Sequence, residues 1–297
     1  DLGFGIGNVA AEGSSAPNFT GNNKDYPVIG KVPWKTLGIS PSRDGQGECL
    51  WYVVSGRFKN NPPTDALNWD TQGQIDVIDG NGSIIASNIA ALLVAPGKPI
   101  DVQNRALAGP VYTQCGGNYD ARNYLDSYNS HDAVSGEVNY FTDSLINIIN
   151  HRVALNANNK RFVLAKNDHY NDRLLFITVD DIFRPIIRRN DFSAQISALL
   201  NDAVFIPHLQ SVAIAGSKGA NNVDCNNTGN SDNKKFCKNW KEMLLLSQLP
   251  TPSPIAIDGI PTAACTRVLI FGGQKFAAQA RLTVADKTAP PNYLEGA

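Results

Sequence analysis

The stretch KVPWKTLGISPSRDGQGECLWYVVSGRFKNNP, residues 31–62, continued by NWDTQGQIDVIDGNGS, residues 68–83, decides the fold of this chain. It contains three of the four tryptophans, Trp34, Trp51 and Trp69. Tryptophan rings bury large apolar areas, so this stretch is predicted to nucleate a core that holds all three. Glycine and proline residues punctuate it at short intervals, as expected of short strands joined by turns. The first half of the chain is therefore predicted to be rich in β-structure.

The pattern beyond this stretch favours an α+β fold. QIDVIDGNGSIIAS, residues 74–87, predicts a β-hairpin around a glycine-rich turn. In the second half Asp191 begins one predicted helix, and Trp240 is predicted to be a core residue on the apolar face of another. That face consists of Phe236, Trp240, Met243 and Leu244. Adjoining strands followed by helices indicate an antiparallel β-sheet core with several helices in the second half of a loop-rich chain.

The division of the chain follows from composition and pattern. Residues 1–30, rich in glycine, asparagine, serine and alanine, are predicted to form an extended N-terminal arm. Residues 31–297 are predicted to be a single composite α+β domain, with a candidate seam near 130–140. The remaining predicted elements are strands at 49–55, 161–165, 174–178, 211–215 and 265–272, helices at 121–128 and 141–155, and a helix capped by Asp180 or Asp181.

Composition and charge limit the classes of partner. The chain has 297 residues, of which 42% are hydrophobic and 18% are charged, and its net charge is −1. This apolar content suffices for a hydrophobic core. A nearly neutral chain has no global field that would recruit nucleic acid or an anionic membrane surface, so no nucleic-acid partner is predicted.

The five cysteines predict a disulfide and not a zinc site, since they form no CxxC pair. Cys225 and Cys237 enclose the polar loop CNNTGNSDNKKFC and are predicted to be bonded to each other. Two separate buried thiols are the alternative. An odd count leaves one cysteine without a partner within the chain, and Cys49 or Cys115 is the predicted orphan.

The sequence predicts no enzyme. The four histidines lack metal-binding spacings, and no GxSxG elbow occurs. A carbohydrate hydrolase needs two carboxyl groups, which Asp70, Asp76 and Asp79, or Asp180 and Asp181, could supply. Turn and helix-cap roles explain these residues better, so no catalytic residue is predicted.

Calcium is the one cofactor for which the sequence offers weak candidates. Asp79, Asn81 and Ser83 alternate in DGNGS, and Asp224 and Asp232 lie in the cysteine loop region. Their oxygens suit a hard cation, but the EF-hand spacing fails because no glutamate stands at the closing position. Asparagine- and aspartate-rich turns are the favoured interpretation of both segments.

Several phrases carry a family resemblance: VPWKTLGI (32–39), DGQGECLWYVVSG (44–56), NWDTQGQ (68–74), NDRLLFITVDDIF (171–183) and NYLEG (292–296). They resemble an uncharacterised group of bacterial prepilin-like proteins, loosely related to type IV pilins and type II secretion pseudopilins. The resemblance implies a pilin-like globular domain, extracellular or at the cell surface, that associates with itself or with other pilin-like subunits. The hydrophobic N-terminal helix of that group is lacking here, so membrane contact is expected only through such a helix upstream of Asp1.

The expected function is therefore that of an extracytoplasmic structural or interaction protein: a filament subunit, a minor pilin or an adhesive surface domain. Exposed aromatic residues and asparagine-rich loops would make its contacts. A secreted carbohydrate-active hydrolase and a carbohydrate-binding module are the alternatives. Two carboxyl groups within about 10 Å of each other in a cleft would favour the hydrolase.

Overall fold

A computed structural model describes the greater part of the chain. Its residues fall into two compact units, the first formed by Asp1–Asp65 and Gln72–Ile182, the second by Ala66–Thr71 and Phe183–Ala297. The predicted single domain stays a prediction, and the candidate seam near 130–140 lies outside the described residues. The described residues are 12–14, 27–59, 67–100, 103–106, 114–115, 117–118, 121–128, 160–214, 219–220, 223–257, 260–261, 263–276, 278–281, 283 and 285–294.

A six-stranded sheet forms the first unit, and the predicted α+β class is confirmed. Its strands are β1 (Val28–Lys31), β2 (Trp51–Val54), β3 (Ile75–Asp79), β4 (Ile84–Ala95), β5 (Lys160–Leu164) and β6 (Arg173–Thr178). The order is β1-β2-β4-β3-β5, with β6 also paired to β4. All pairs are antiparallel except β3 with β5, which is parallel. A short helix, α1 (Trp34–Leu37), follows β1.

The predicted hairpin at 74–87 is confirmed as β3 and β4, but β4 is one strand of twelve residues. β3 pairs with its first half and β2 with its second half. Ser55 joins the adjacent ends of β2 and β3, because its Oγ donates to the Ile89 carbonyl and accepts from the Gln74 N–H. Gly73 leaves no room for a side chain there, since a Cβ atom would lie 2.3 Å from the Ile89 oxygen.

Alternation along the strands places one side of the sheet in the core. Trp51 and Val53 of β2 are fully buried, as is Val94 of β4. The ring of Trp51 lies 5.1 Å from that of Tyr124, between centroids. Two short 3₁₀ turns, Ala121–Asn123 and Asp126–Tyr128, replace the helix predicted at 121–128. The arm predicted for residues 1–30 is wrong at its end, because Val28 already pairs with β2.

Three helices and a small sheet make up most of the second unit. α2 (Val179–Ile187) leads into it from the first unit, and α3 (Asn190–Leu200), α4 (Phe205–Ser211) and α5 (Ser231–Trp240) follow. Strands β7 (Gly219–Ala220), β8 (Leu244–Ser253) and β11 (Cys265–Phe271) form a sheet in the order β11-β8-β7. A separate pair consists of β9 (Ala256–Ile257) and β10 (Ile260–Pro261).

The ends of three helices differ from the predictions. The predicted strand at 211–215 is wrong over its described residues, because Ser211 is the last residue of α4 and residues 212–214 belong to no strand. α5 ends at Trp240, so Leu244 belongs to β8, where pairing with Phe271 of β11 outweighs the helical pattern. Thr178, not an aspartate, caps α2: its Oγ1 accepts from the Asp181 N–H at 3.1 Å, and the Asp181 carboxylate accepts from the Thr178 N–H at 2.9 Å.

The helices of the described chain are short. Within the residues described above, no helix combines the length and the apolar character needed to cross a membrane. The helix predicted at 141–155 lies outside those residues.

Candidate functional site

The structure places the first group of candidate calcium ligands in a turn. Asp79 ends β3, and its Oδ1 accepts hydrogen bonds of 2.8 Å from the N–H groups of both Asn81 and Ser83. Asx turns of this kind close tight hairpins. One of the two carboxylate oxygens of Asp79 is thus already bonded to the backbone.

Asp224 and Asp232, the second group of candidate ligands, each contact a different neighbour. Asp224 Oδ1 accepts from the Asn226 N–H at 2.9 Å, and this hydrogen bond holds the pKa of Asp224 below its usual value. Asp232 lies in the first turn of α5, with an oxygen 3.9 Å from the ammonium of Lys235. Across the described segments, no three histidine, cysteine, aspartate or glutamate side chains are grouped to hold a metal ion. Calcium binding stays a prediction.

The tryptophans chosen as core residues divide into two pairs. Trp51 is fully buried and Trp240 is 7% exposed. Trp240 packs against Phe192, with their ring centroids 4.8 Å apart. Trp34 and Trp69 are half-buried, so they lie at the margin of the protein interior.

Two disulfides are present. The predicted Cys225–Cys237 bond is confirmed. The prediction of Cys49 or Cys115 as the orphan is wrong, because these two are bonded to each other with their Cα atoms 5.5 Å apart. Cys265 belongs to neither bond. Disulfides persist in oxidising compartments, so the pair of bonds indicates an extracytoplasmic environment.

One carboxylate holds the Cys225–Cys237 loop region together. Asp202 is buried, and its oxygens accept from the N–H groups of Phe205 and Gly229 and from Nδ2 of Asn233. These hydrogen bonds, that of Asn233 foremost, lower the pKa of Asp202 to about 2. A single side chain thereby joins the start of α4, the cysteine loop and α5.

A buried ionisable cluster in the first unit has the most unusual electrostatics, and sequence reasoning did not find it. We use this name for five residues on four segments: Lys31, Arg105, Tyr124, Asp126 and Asp172. Buried charged groups are rare unless they are paired or hydrogen-bonded. Each charged side chain of this cluster is therefore expected to have partners that offset its burial.

Lys31 is fully buried at the end of β1, where strand alternation places it on the same side as Ile29. Its Nζ lies 4.7 Å from the Tyr124 ring centroid and 5.9 Å from that of Trp51. Contact with aromatic faces stabilises the cation. Burial nevertheless prevails over the attraction of Glu48 and lowers the pKa of Lys31 to about 8.

Arg105 lies on the same ring, with its guanidinium carbon 4.8 Å from the Tyr124 centroid. It donates to the carbonyls of Asn123 at 2.6 Å and Gly97 at 2.7 Å, and an Nη1 atom lies 3.4 Å from a Glu48 oxygen. Burial is the main reason that the pKa of Tyr124 rises to about 12. The phenol stays neutral and serves as a packing surface for two cations.

Asp126 and Asp172 bind each other's backbone. Asp126 Oδ2 accepts from the N–H groups of Asn171 at 2.6 Å and Asp172 at 2.9 Å, and Asp172 Oδ2 accepts from the Asp126 N–H at 2.8 Å. Gln103 donates to the other Asp126 oxygen at 3.0 Å. Burial first, and the charge of Asp126 second, raise the pKa of Asp172 well above 3.8. Burial raises the pKa of Asp126 as well.

The cluster fastens segments of the first unit together. Lys31, Tyr124, Asp126 and Asp172 are each at most 3% exposed, so these groups do not reach solvent. The Asp126–Asp172 contacts tie the second 3₁₀ turn to the chain just before β6. Apart from the alternation at Lys31, no local signal distinguishes these residues in the sequence, because the partners are distant along the chain.

We expect Lys31→Met to remove a pH dependence of stability. Between pH 8 and 10.5 the unfolded lysine holds its proton while the folded one has lost it, so the free energy of unfolding rises with pH in this window. The variant should be more stable than the parent at pH 7, by at most about 3 kcal/mol. Urea unfolding at pH 7 and pH 10 measures both effects. A parent protein whose stability does not rise over this window would contradict the assignment.

We expect Asp172→Asn to reduce a pH dependence of the opposite sign, in which the free energy of unfolding falls as pH rises. A raised carboxyl pKa means that the folded state binds more protons, so stability falls as pH rises above 3.8 through the raised pKa. The amide can donate to Asp126 without a titrating proton. The free energy of unfolding should differ less between pH 5 and pH 8 for this variant than for the parent, as measured by urea unfolding at the two pH values. Asp168→Asn, at an exposed position on the β5–β6 connection, is the matched control and should retain the parental difference.

Comparisons with known proteins identify no relative of this chain. No family model matches the chain, no curated protein matches it, and no solved structure matches it. The structure therefore defines an α+β protein with two disulfides, and its function has to be argued from its own residues.

Proposed function

We propose that this protein is an extracytoplasmic structural or interaction domain that acts by assembly and contact at the bacterial cell surface. The two disulfides support the compartment in this proposal, since bonds such as Cys49–Cys115 and Cys225–Cys237 form and persist in oxidising surroundings. The prepilin-like phrases support its finer part, a filament subunit, a minor pilin or an adhesive surface domain. A sheet dominated by antiparallel pairs is compatible with that part.

The carboxyl groups of the first unit also support a role without catalysis. Glycoside hydrolysis needs two carboxyl groups that flank a sugar bond within a cleft. Asp126 and Asp172 do form a close pair, but they are 1% and 3% exposed and bind each other's backbone N–H groups. A sugar could not enter between them without separating the 3₁₀ turn from β6.

Thiol counting in the native host tests the compartment. Cells that produce the protein are quenched in acid, alkylated before and after reduction, and examined by intact mass. We expect one alkylated cysteine before reduction and five after it. A protein with five reduced thiols in the cell would overturn the extracytoplasmic assignment.

Surface display needs a second measurement. Protease treatment of intact cells should degrade the protein, whereas a cytoplasmic marker should survive. Negative-stain electron microscopy of the sheared surface fraction, with antibody labelling, should show the protein in filaments or at their ends. Labelling confined to the cytoplasm would contradict the proposal, and hydrolysis of a polysaccharide panel by the purified protein would favour the hydrolase.

A further inference from the structure

The β6 strand exposes an apolar outer side. Leu175 and Ile177 are 65% and 45% exposed, and they point to the same side because alternate strand residues do so. They lie opposite Leu93 and Ala91 of β4, which are half-buried. Four apolar side chains thus form one continuous strip across two strands.

The same strand lies at an edge of the sheet that the described strands form. Of the strands described, β6 pairs only with β4. Natural proteins protect such edges with charges, prolines or bulges. β6 contains no proline and carries one charge, Arg173, at its first residue. The edge is therefore suited to accept a further strand.

From this edge we infer that the partner is a second copy of the chain, whose β6 pairs antiparallel with the first across a two-fold axis at Phe176. The inference rests on the proposed function as an assembling domain and names its partner. Side chains directly opposite each other in a sheet lie on the same face, and side chains along a strand alternate between the two faces. Two copies of one strand can therefore pair antiparallel only when the two-fold axis passes through a residue and not between two residues. An axis at Phe176 sets Leu175 against Ile177 of the partner subunit twice, whereas an axis at Leu175 would set Arg173 against Ile177.

Charge favours the Phe176 axis as well. Arg173 lies opposite the start of α2 in the second copy, where Asp180 and the exposed Asp181 follow β6. The two arginines are about 20 Å apart along the strands, which exceeds the Debye length at physiological salt. Opposite charges thus come together at both ends of the pair, and like charges stay separated. Only five residues of each β6, 174–178, pair with β6 of the other copy, which makes the interface smaller than a standard one. The dimer is therefore expected to be weak and concentration-dependent.

Sedimentation equilibrium of the disulfide-bonded protein tests this pairing. The parent should show a reversible monomer–dimer equilibrium. Ile177→Lys should raise the dimer dissociation constant by about tenfold, because each substitution removes an apolar cross-strand pair and enters the symmetric interface twice. Leu37→Lys, at a 58% exposed position on α1, is the matched control and should leave the dissociation constant unchanged.

Cross-linking tests the register. In a Cys265→Ser background, Leu175→Cys with Ile177→Cys should give a covalent dimer in oxidised glutathione, since residues 175 and 177 of opposite copies are cross-strand neighbours. Leu175→Cys alone should give little, because that residue would meet itself only in the other register. A parent that stays monomeric at all concentrations, or equal weakening by Ile177→Lys and Leu37→Lys, would overturn the pairing. Neither result would affect the compartment, which depends on the thiol count.

Discussion

Replacing Cys49 and Cys115 together by serine is expected to lower the free energy of unfolding of the first unit by about 4 kcal/mol. The bond closes a loop with a sequence separation of 66 residues, and loop-closure entropy in the unfolded chain grows with loop length. Cys225–Cys237 closes a loop of only 12, so its removal should cost about 3 kcal/mol. Urea unfolding monitored by peptide-resolved hydrogen exchange separates the two units.

The structure adds a second reason for a large effect of the longer loop. Glu12 is buried, and its Oε1 accepts from the Cys115 N–H at 2.6 Å. The backbone of Cys49 forms an isolated antiparallel β-bridge with that of Arg43. Loss of the disulfide would thus loosen these two contacts and also raise the conformational entropy of the unfolded chain. Cys265→Ser is the matched control and should change the free energy of unfolding little. A smaller loss for Cys49→Ser with Cys115→Ser than for the Cys225 and Cys237 pair would contradict the expectation.

Replacing Arg281 by alanine is expected to destabilise the second unit by about 3–5 kcal/mol, because it leaves a buried carboxylate without its cation. Nη1 of Arg281 lies 2.9 Å from Asp70 Oδ2, and the two side chains are 2% and 10% exposed. Arg281 also donates to the carbonyls of Gly273 and Asn292, and its guanidinium carbon lies 4.4 Å from the Tyr293 ring centroid. The side chain thereby joins four segments of this unit.

A matched exposed pair provides the control. Arg189 and Asp191 form an ion pair with side chains 65% and 64% exposed, so Arg189→Ala should lower the free energy of unfolding far less than Arg281→Ala. Arg281→Met combined with Asp70→Leu should recover part of the loss, since an apolar pair leaves no buried charge. Thermal and urea unfolding of the four proteins complete the comparison. If Arg281→Ala and Arg189→Ala lowered the free energy of unfolding equally, burial would not explain the contribution of the Asp70–Arg281 pair to stability.

Local features were accessible from sequence. The hairpin of β3 and β4 follows from alternation on both sides of DGNGS, and its Asx turn follows from Asp79. Cys225 and Cys237 are 12 residues apart, near enough for the loop between them to indicate the bond. Even so, the end of α5 was wrong by one turn, because Leu244 gains more from pairing in β8 than from the helical face.

Distant contacts were not accessible. The Cys49–Cys115 bond spans 66 residues, the Asp126–Asp172 contacts span 46, and the Asp70–Arg281 pair spans 211. None of these residues has a neighbour pattern that marks it as bonded, paired or buried. Their partners are specified only when the sheets and turns bring separate segments together.

By itself, the sequence determined the α+β class, the alternating strands, the main helices and the shorter disulfide, since each depends on residues a few positions apart. The tertiary structure decided which residues are bonded, buried or exposed in unexpected ways: the Cys49–Cys115 bond, the buried Lys31, the paired carboxyl groups and the exposed apolar side of β6. The physical reason is that burial, pKa and pairing depend on the surroundings of a side chain, and packing supplies those surroundings from parts of the chain that local patterns do not connect.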